Sequence, residues 1–221
     1  MINEIKQVLK SFNKNDIIFT TIFATVLIVT QILAKSNVIS LVACVLGIIY
    51  VILTKKRSRF CSVFGFLQIV LYIYISFESK FYGDFALNVF NLMLQPVIFY
   101  FWSKSSKQGK VEINRLTQTG LSLTFSIWLS LIVMSWFPLR ILGGNTPFID
   151  ATITISSIVA ILLNVWAFHE TWVFWIITNI ASIILWTLAL FRGDSSSLPM
   201  LIMFVAYFIN SVDAYKQWNK A

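Results

Sequence analysis

The chain has 221 residues, of which 58% are hydrophobic and only 12% charged, with a mean hydropathy of +0.81. A soluble domain carries about a quarter charged residues, so the composition excludes that class and points to a membrane protein. The net charge of +8 does not argue for nucleic acid, because the basic residues cluster in loops between apolar stretches and form no amphipathic face.

Residues 1–16 are polar and carry Lys6, Lys10 and Lys14. No A-x-A-like site follows the first apolar run, so that run is read as a retained span and not a cleaved signal. A helix needs about 20 apolar residues to cross a bilayer, with roughly 17 to 25 tolerated. Eight segments qualify: 17–34, 38–54, 60–77, 85–102, 119–138, 148–168, 172–191 and 198–215. Charges, Gly, Pro or Ser separate them, as in Lys55-Lys-Arg-Ser-Arg59 and in the loop 103–118. The tightest link is His169-Glu170-Thr171. Cys44 and Cys61 show no ligand spacing and read as small buried hydrophobes.

Eight crossings place the N-terminus, 55–59, 103–118, 169–171 and the C-terminus on one side, with 13 Lys and Arg residues. The opposite side holds Lys35, Lys80, Arg140 and Arg192. By the positive-inside rule the first side is cytoplasmic and holds both termini.

The layout repeats. Segments two to four (38–102) resemble segments six to eight (148–218), with Phe64 and Gln68 falling on Trp175 and Asn179, and Gln95 on Asn210. Three crossings end on the opposite side, so two parallel units need an extra helix, which 119–138 supplies. The predicted fold class is an all-α membrane protein of eight transmembrane helices. A leading helix at 17–34 precedes a 3+1+3 parallel-repeat bundle, an architecture in which transporters hold solute near the midplane.

Polar residues interrupt these spans in phase. The third helix carries Gln68 and Tyr72; the fourth carries Asn88, Asn91 and Gln95 on one face, followed by Pro96. Pro96 loosens its helix and frees a carbonyl. The seventh carries Trp172, Trp175, Asn179 and Ser182 on one face, and the eighth Tyr207, Asn210 and Asp213. A single amide reads as glue between helices, worth about 0.6 kcal/mol. Six amides on equivalent helices favour a polar cavity instead. Tryptophans also form interfacial belts; Trp102, Trp136 and Trp218 are assigned there, while Trp172 fits either role. His169 is the only histidine, so no metal site is expected. No P-loop and no deep carboxylate occur, which argues against ATP- or ion-driven pumping. No catalytic group or cofactor site is evident.

The run Glu170-x-Trp172-x-x-Trp175-x-x-x-Asn179-x-x-Ser182, the earlier Tyr82-Gly83-Asp84-x-x-x-Asn88, and Gln95 with Trp102 resemble the nicotinamide riboside transporter (PnuC) family. The resemblance extends from about Val38 onward. It implies a bacterial inner-membrane protein of 3+1+3 fold that passes nicotinamide riboside, or a related vitamin such as thiamine, by facilitated diffusion. It further implies trapping by a cytoplasmic riboside kinase, and a homotrimer. On this reading Trp172 or Trp175 stacks on the pyridinium, while Gln68, Tyr72, Asn88, Asn91, Gln95, Asn179 and Asn210 line the substrate site. One departure stands out: many members have glycine shortly after the glutamine, where this chain has Gln95-Pro-Val-Ile-Phe-Tyr-Phe-Trp102. The nearest alternative solute is thiamine or a deoxynucleoside.

Overall fold

Hydrocarbon offers no partner to backbone N–H and C=O groups, so apolar runs of this length close their hydrogen bonds internally as helices. The computed structural model describes residues 12, 14–33, 38–78, 82–107, 109–141, 145–193 and 197–220. Among them are eight α-helices: α1 (Lys14–Leu33), α2 (Val38–Lys55), α3 (Cys61–Glu78), α4 (Tyr82–Lys104), α5 (Gln118–Ile141), α6 (Pro147–Val165), α7 (Thr171–Phe191) and α8 (Ser197–Asn219). The chain is an all-α membrane protein. Helices α2, α3, α5, α6 and α7 are each long and apolar enough to cross a bilayer. In α1 the residues Ile17–Thr30 form a further apolar stretch. Lys6, Lys10, Lys35 and Lys80 lie outside the described residues, as do the side chains of Tyr82, Gly83 and Asp84.

The helices form two compact units, Met1–Glu112 and Ile113–Ala221. In the first, α1 packs on α2, α2 on α3, and α3 on α4. Glycines set the closest approaches. A Cβ added at Gly65 would stand 2.8 Å from Gln95 Oε1 and 2.9 Å from the Tyr50 ring. In the second unit α5 packs on α6, α6 on α7, and α7 on α8. Its apolar centre is Ile132, Ala151, Ile155, Val159, Ala160 and Phe174. Thr171 Oγ1 donates to the Ala160 carbonyl at 2.7 Å, tying the start of α7 to α6.

Each unit turns between its paired helices in the same way. After α2, Ser58 N–H donates to Leu53 O and Arg57 N–H to Thr54 O; after α6, Phe168 N–H donates to Leu163 O and Ala167 N–H to Asn164 O. This is the double hydrogen bond of a Schellman cap, which needs a left-handed residue. Arg57 (φ 61°) and Ala167 (φ 50°) supply it without being glycine.

Three local expectations change. The stretch 103–118, read as plain loop, holds a short hairpin of β1 (Ser106–Lys107) and β2 (Lys110–Val111). Helix α6 stops at Val165, short of the 168 expected, because the cap intervenes. Lys55 and Lys56, counted as loop cations, are buried with ammonium groups 4.6 Å from the Phe19 ring and 4.8 Å from the Phe12 ring. Long aliphatic stems and cation–π attraction make that burial tolerable.

The glycine contact yields a test. Gly65→Val drives a branched side chain into Gln95 and Tyr50, and overpacking of this kind costs about 1–3 kcal/mol. The purified protein in detergent should melt at a clearly lower temperature; an unchanged melting temperature would mean that α2, α3 and α4 separate freely at this point.

Candidate functional site

Helices α7 and α8 run antiparallel and pack along a seam that includes two side-chain contacts. Trp172 and Trp218 pack edge to face, ring centroids 5.5 Å apart. Two turns further into each helix, roughly 10 Å deeper, Asn179 Nδ2 donates to Ser211 Oγ at 3.0 Å. Ser211 Oγ in turn donates to the Tyr207 carbonyl at 2.9 Å. Asn210, beside Ser211, is 1% exposed, and its Oδ1 has no hydrogen-bond partner. Trp172 Nε1 and Ser182 Oγ on α7 are likewise buried and unmet. A buried polar atom without a partner costs about 1–3 kcal/mol. Three such atoms lie on this pair of helices, among eight in the described residues.

The two α7 tryptophans have different surroundings. Trp172 is 3% exposed, so it is no lipid-facing belt residue. Trp175 is half-buried and packs against the apolar centre of α5, α6 and α7. Trp102 and Trp218, assigned to a belt from sequence, are also buried, because each packs inside its own unit. Trp136 is half-buried beneath the Arg140 guanidinium, 5.5 Å from its ring.

In the first unit Gln95 is 3% exposed and its Oε1 is unmet. It lines a cavity of about 280 Å³ together with Ser62, Phe66, Pro96 and Phe99. Asn91 is half-buried with Oδ1 unmet. Gln68 is half-buried, its Nε2 3.3 Å from where a Gly47 Cβ would stand. Asn88 is half-buried, and Tyr72 is more exposed at 37%. Sequence reasoning missed Tyr50, Gly47 and Ser211. Ser211 carries one faint signal, following Asn210 and sitting one turn after Tyr207 on the same helix.

Similarity to known proteins identifies the chain as a membrane transporter and not an enzyme. Residues 37–220 match the nicotinamide mononucleotide transporter family, and the chain belongs to that family. A nicotinamide riboside transporter PnuC from Neisseria mucosa is 34% identical, covering 81% of this chain and 71% of that protein. The protein of the same name from Haemophilus influenzae is 25% identical over 91% of this chain and 90% of its own. A crystal structure of the vitamin B3 transporter PnuC aligns with TM-score 0.79 at 29% identity, covering 97% of this chain and 95% of that one.

A latch closes the start of α7. Asn114 N–H donates to Ala167 O, and His169 N–H donates to Asn114 O. The Leu116 amide donates to Glu170 Oε2 at 3.3 Å, and Arg115 Nη2 donates to Asn219 O at 3.0 Å. The His169 ring lies 4.4 Å from that of Tyr215, with Nε2 3.3 Å from the Tyr215 carbonyl. Burial pushes the His169 pKa down and Arg115 adds to this, against the Tyr215 carbonyl and Glu170.

A histidine with a lowered pKa binds its proton more weakly folded than unfolded. Its stabilising contribution is full above the ordinary value of 6.5 and falls as pH drops through 6.5 to the lower folded pKa. Thermal melts across pH 8 to 5, by design of the titration about one unit per step, should therefore decline less steeply in His169→Gln than in the wild type. Parallel profiles would remove His169 from the acid response.

Proposed function

We propose that this chain takes up nicotinamide riboside across a bacterial inner membrane by facilitated diffusion, with both termini cytoplasmic. A cytoplasmic riboside kinase then traps the solute, and the working assembly is a homotrimer. The observation that carries the reading is the α7–α8 seam, where unmet buried polar atoms of Trp172, Ser182 and Asn210 accompany the bonded Asn179. A guest bearing hydroxyls and a carboxamide recovers the cost of those atoms. Its flat pyridinium cation gains about 0.5–2 kcal/mol over an indole face.

The name of the matching family refers to the mononucleotide, whereas the relatives cited above are named for the riboside. Charge favours the riboside. A phosphate monoester brings about −1.5 to −2 charge at neutral pH, and burying it requires a cation. The nine candidate residues, Gln68, Tyr72, Asn88, Asn91, Gln95, Trp172, Trp175, Asn179 and Asn210, are all neutral. A neutral site also suits uniport, which needs binding firm enough to select and loose enough to release. The charge bias of the loops supports the orientation.

Radiolabelled uptake into proteoliposomes, with nicotinamide riboside, its mononucleotide, thiamine and a deoxynucleoside in parallel, should show saturable entry of the riboside alone. Uptake of none of the four would end the transporter reading. Trp175→Ala and Asn179→Ala should each lower riboside uptake at least tenfold, the scale of one lost buried contact, while the protein stays monodisperse in detergent. Undiminished transport in both would return the two residues to helix packing.

A further inference from the structure

We propose that Ser211 is a positioning residue that decides which end of the Asn179 carboxamide meets the solute, and thereby selects a primary amide. The inference rests on the riboside reading above. Ser211 is 4% exposed and its hydroxyl proton is committed: Oγ donates to the Tyr207 carbonyl at 2.9 Å, an oxygen that only accepts. A hydroxyl has one proton, so towards Asn179 the same oxygen can act only as an acceptor. The group 3.0 Å away on Asn179 must therefore be the Nδ2 donor. The orientation of the amide follows from its network and not from its shape, which is nearly symmetrical in oxygen and nitrogen.

With one of the two Nδ2 protons held by Ser211, the end of Asn179 turned away from Ser211 is Oδ1, an acceptor beside the remaining N–H. No other hydrogen bond to this carboxamide occurs among the described residues. The seam thus offers the solute an acceptor. The unmet oxygen of Asn210, one residue before Ser211, is a second acceptor of the same kind. Hydroxyls fit either orientation, because they both donate and accept. A carboxamide NH2 only donates and is rewarded, whereas a carboxylate or a dialkyl amide presents acceptors alone and meets oxygen with oxygen. Sites that hydrogen-bond a substrate group discriminate strongly against analogues lacking it, because the buried partner is left unpaired. The first repeat has no counterpart to this device, since the position equivalent to Ser211 is Pro96, next to Gln95.

Proteoliposome uptake of three solutes tests the assignment: nicotinamide riboside, its carboxylic acid counterpart, and its N,N-dimethylamide, which keeps the cationic ring but has no amide donor. Wild type should favour the primary amide over both analogues by about tenfold or more. In Ser211→Ala the Asn179 amide is released to turn, so the preference should shrink at least about fivefold, while Ser211→Thr, which keeps the hydroxyl, should retain it. A merely structural role would lower entry of all three solutes together and leave the ratios alone; that result overturns the proposal. If Ser211→Ala does not reach the membrane, the wild type decides, since equal entry of the dimethylamide and the primary amide also overturns it. No entry of the riboside into wild-type vesicles would overturn the transport reading itself. A normal riboside signal with unchanged ratios in Ser211→Ala would remove only the role of Ser211.

Discussion

A carboxamide inside a bilayer has two polar ends and no water to receive them, so each end must find protein or cargo. Much of the molecule is organised around that demand. Backbone groups satisfy themselves by helix formation, and hydroxyls such as Thr30, Thr54 and Thr178 fold back onto their own helices. The amides are too long for that economy. Asn179 finds Ser211 for one end, whereas Asn210, Asn91 and Gln95 each keep an oxygen unmet. Such oxygens weaken the folded protein by about 1–3 kcal/mol each unless water or solute meets them.

The proposed site is neutral, and that bears on how it would select. A buried charge would hold a cationic solute too firmly and would need its own partner in the empty state. On the proposal above, acceptors fixed by a serine would discriminate by direction instead, at modest binding strength. The aromatic pair Trp172 and Trp218, 5.5 Å apart, gives the start of the seam a rigid wall that costs little conformational freedom.

The path of the chain was legible in the sequence because it rests on long-range averages. Apolar run length, loop charges and the recurrence of amides at helical spacing survive any local detail. The hairpin at 106–111 was hidden because its strands are two residues each. Lys55 and Lys56 look like solvated cations until Phe19 and Phe12, some forty residues away in sequence, are brought beneath them. Trp102 and Trp218 occupy helix ends, where belts are common, and only packing distinguishes the two cases. For the candidate site, the sequence names residue types but carries no donor directions. The role proposed for Ser211 turns on one proton given to the Tyr207 carbonyl, and no pattern of letters records where a proton points.

The twin caps at Arg57 and Ala167 carry a consequence for how such a chain tolerates change. Ala167 follows Arg57 by 110 residues, and the next helices begin 110 residues apart, at Cys61 and Thr171. One residue inserted in either turn would rotate the following helix by about 100° and swing its amide, Gln68 or Asn179, to another face. These turns therefore behave as phase locks between neighbouring helices. Gln68 and Asn179 stand 111 residues apart, one more than the caps, and most of the slippage between the repeats lies in the outer connections, since Gln95 and Asn210 stand 115 apart. Length variation among kindred chains belongs there, where an added residue lengthens a loop without turning a helix.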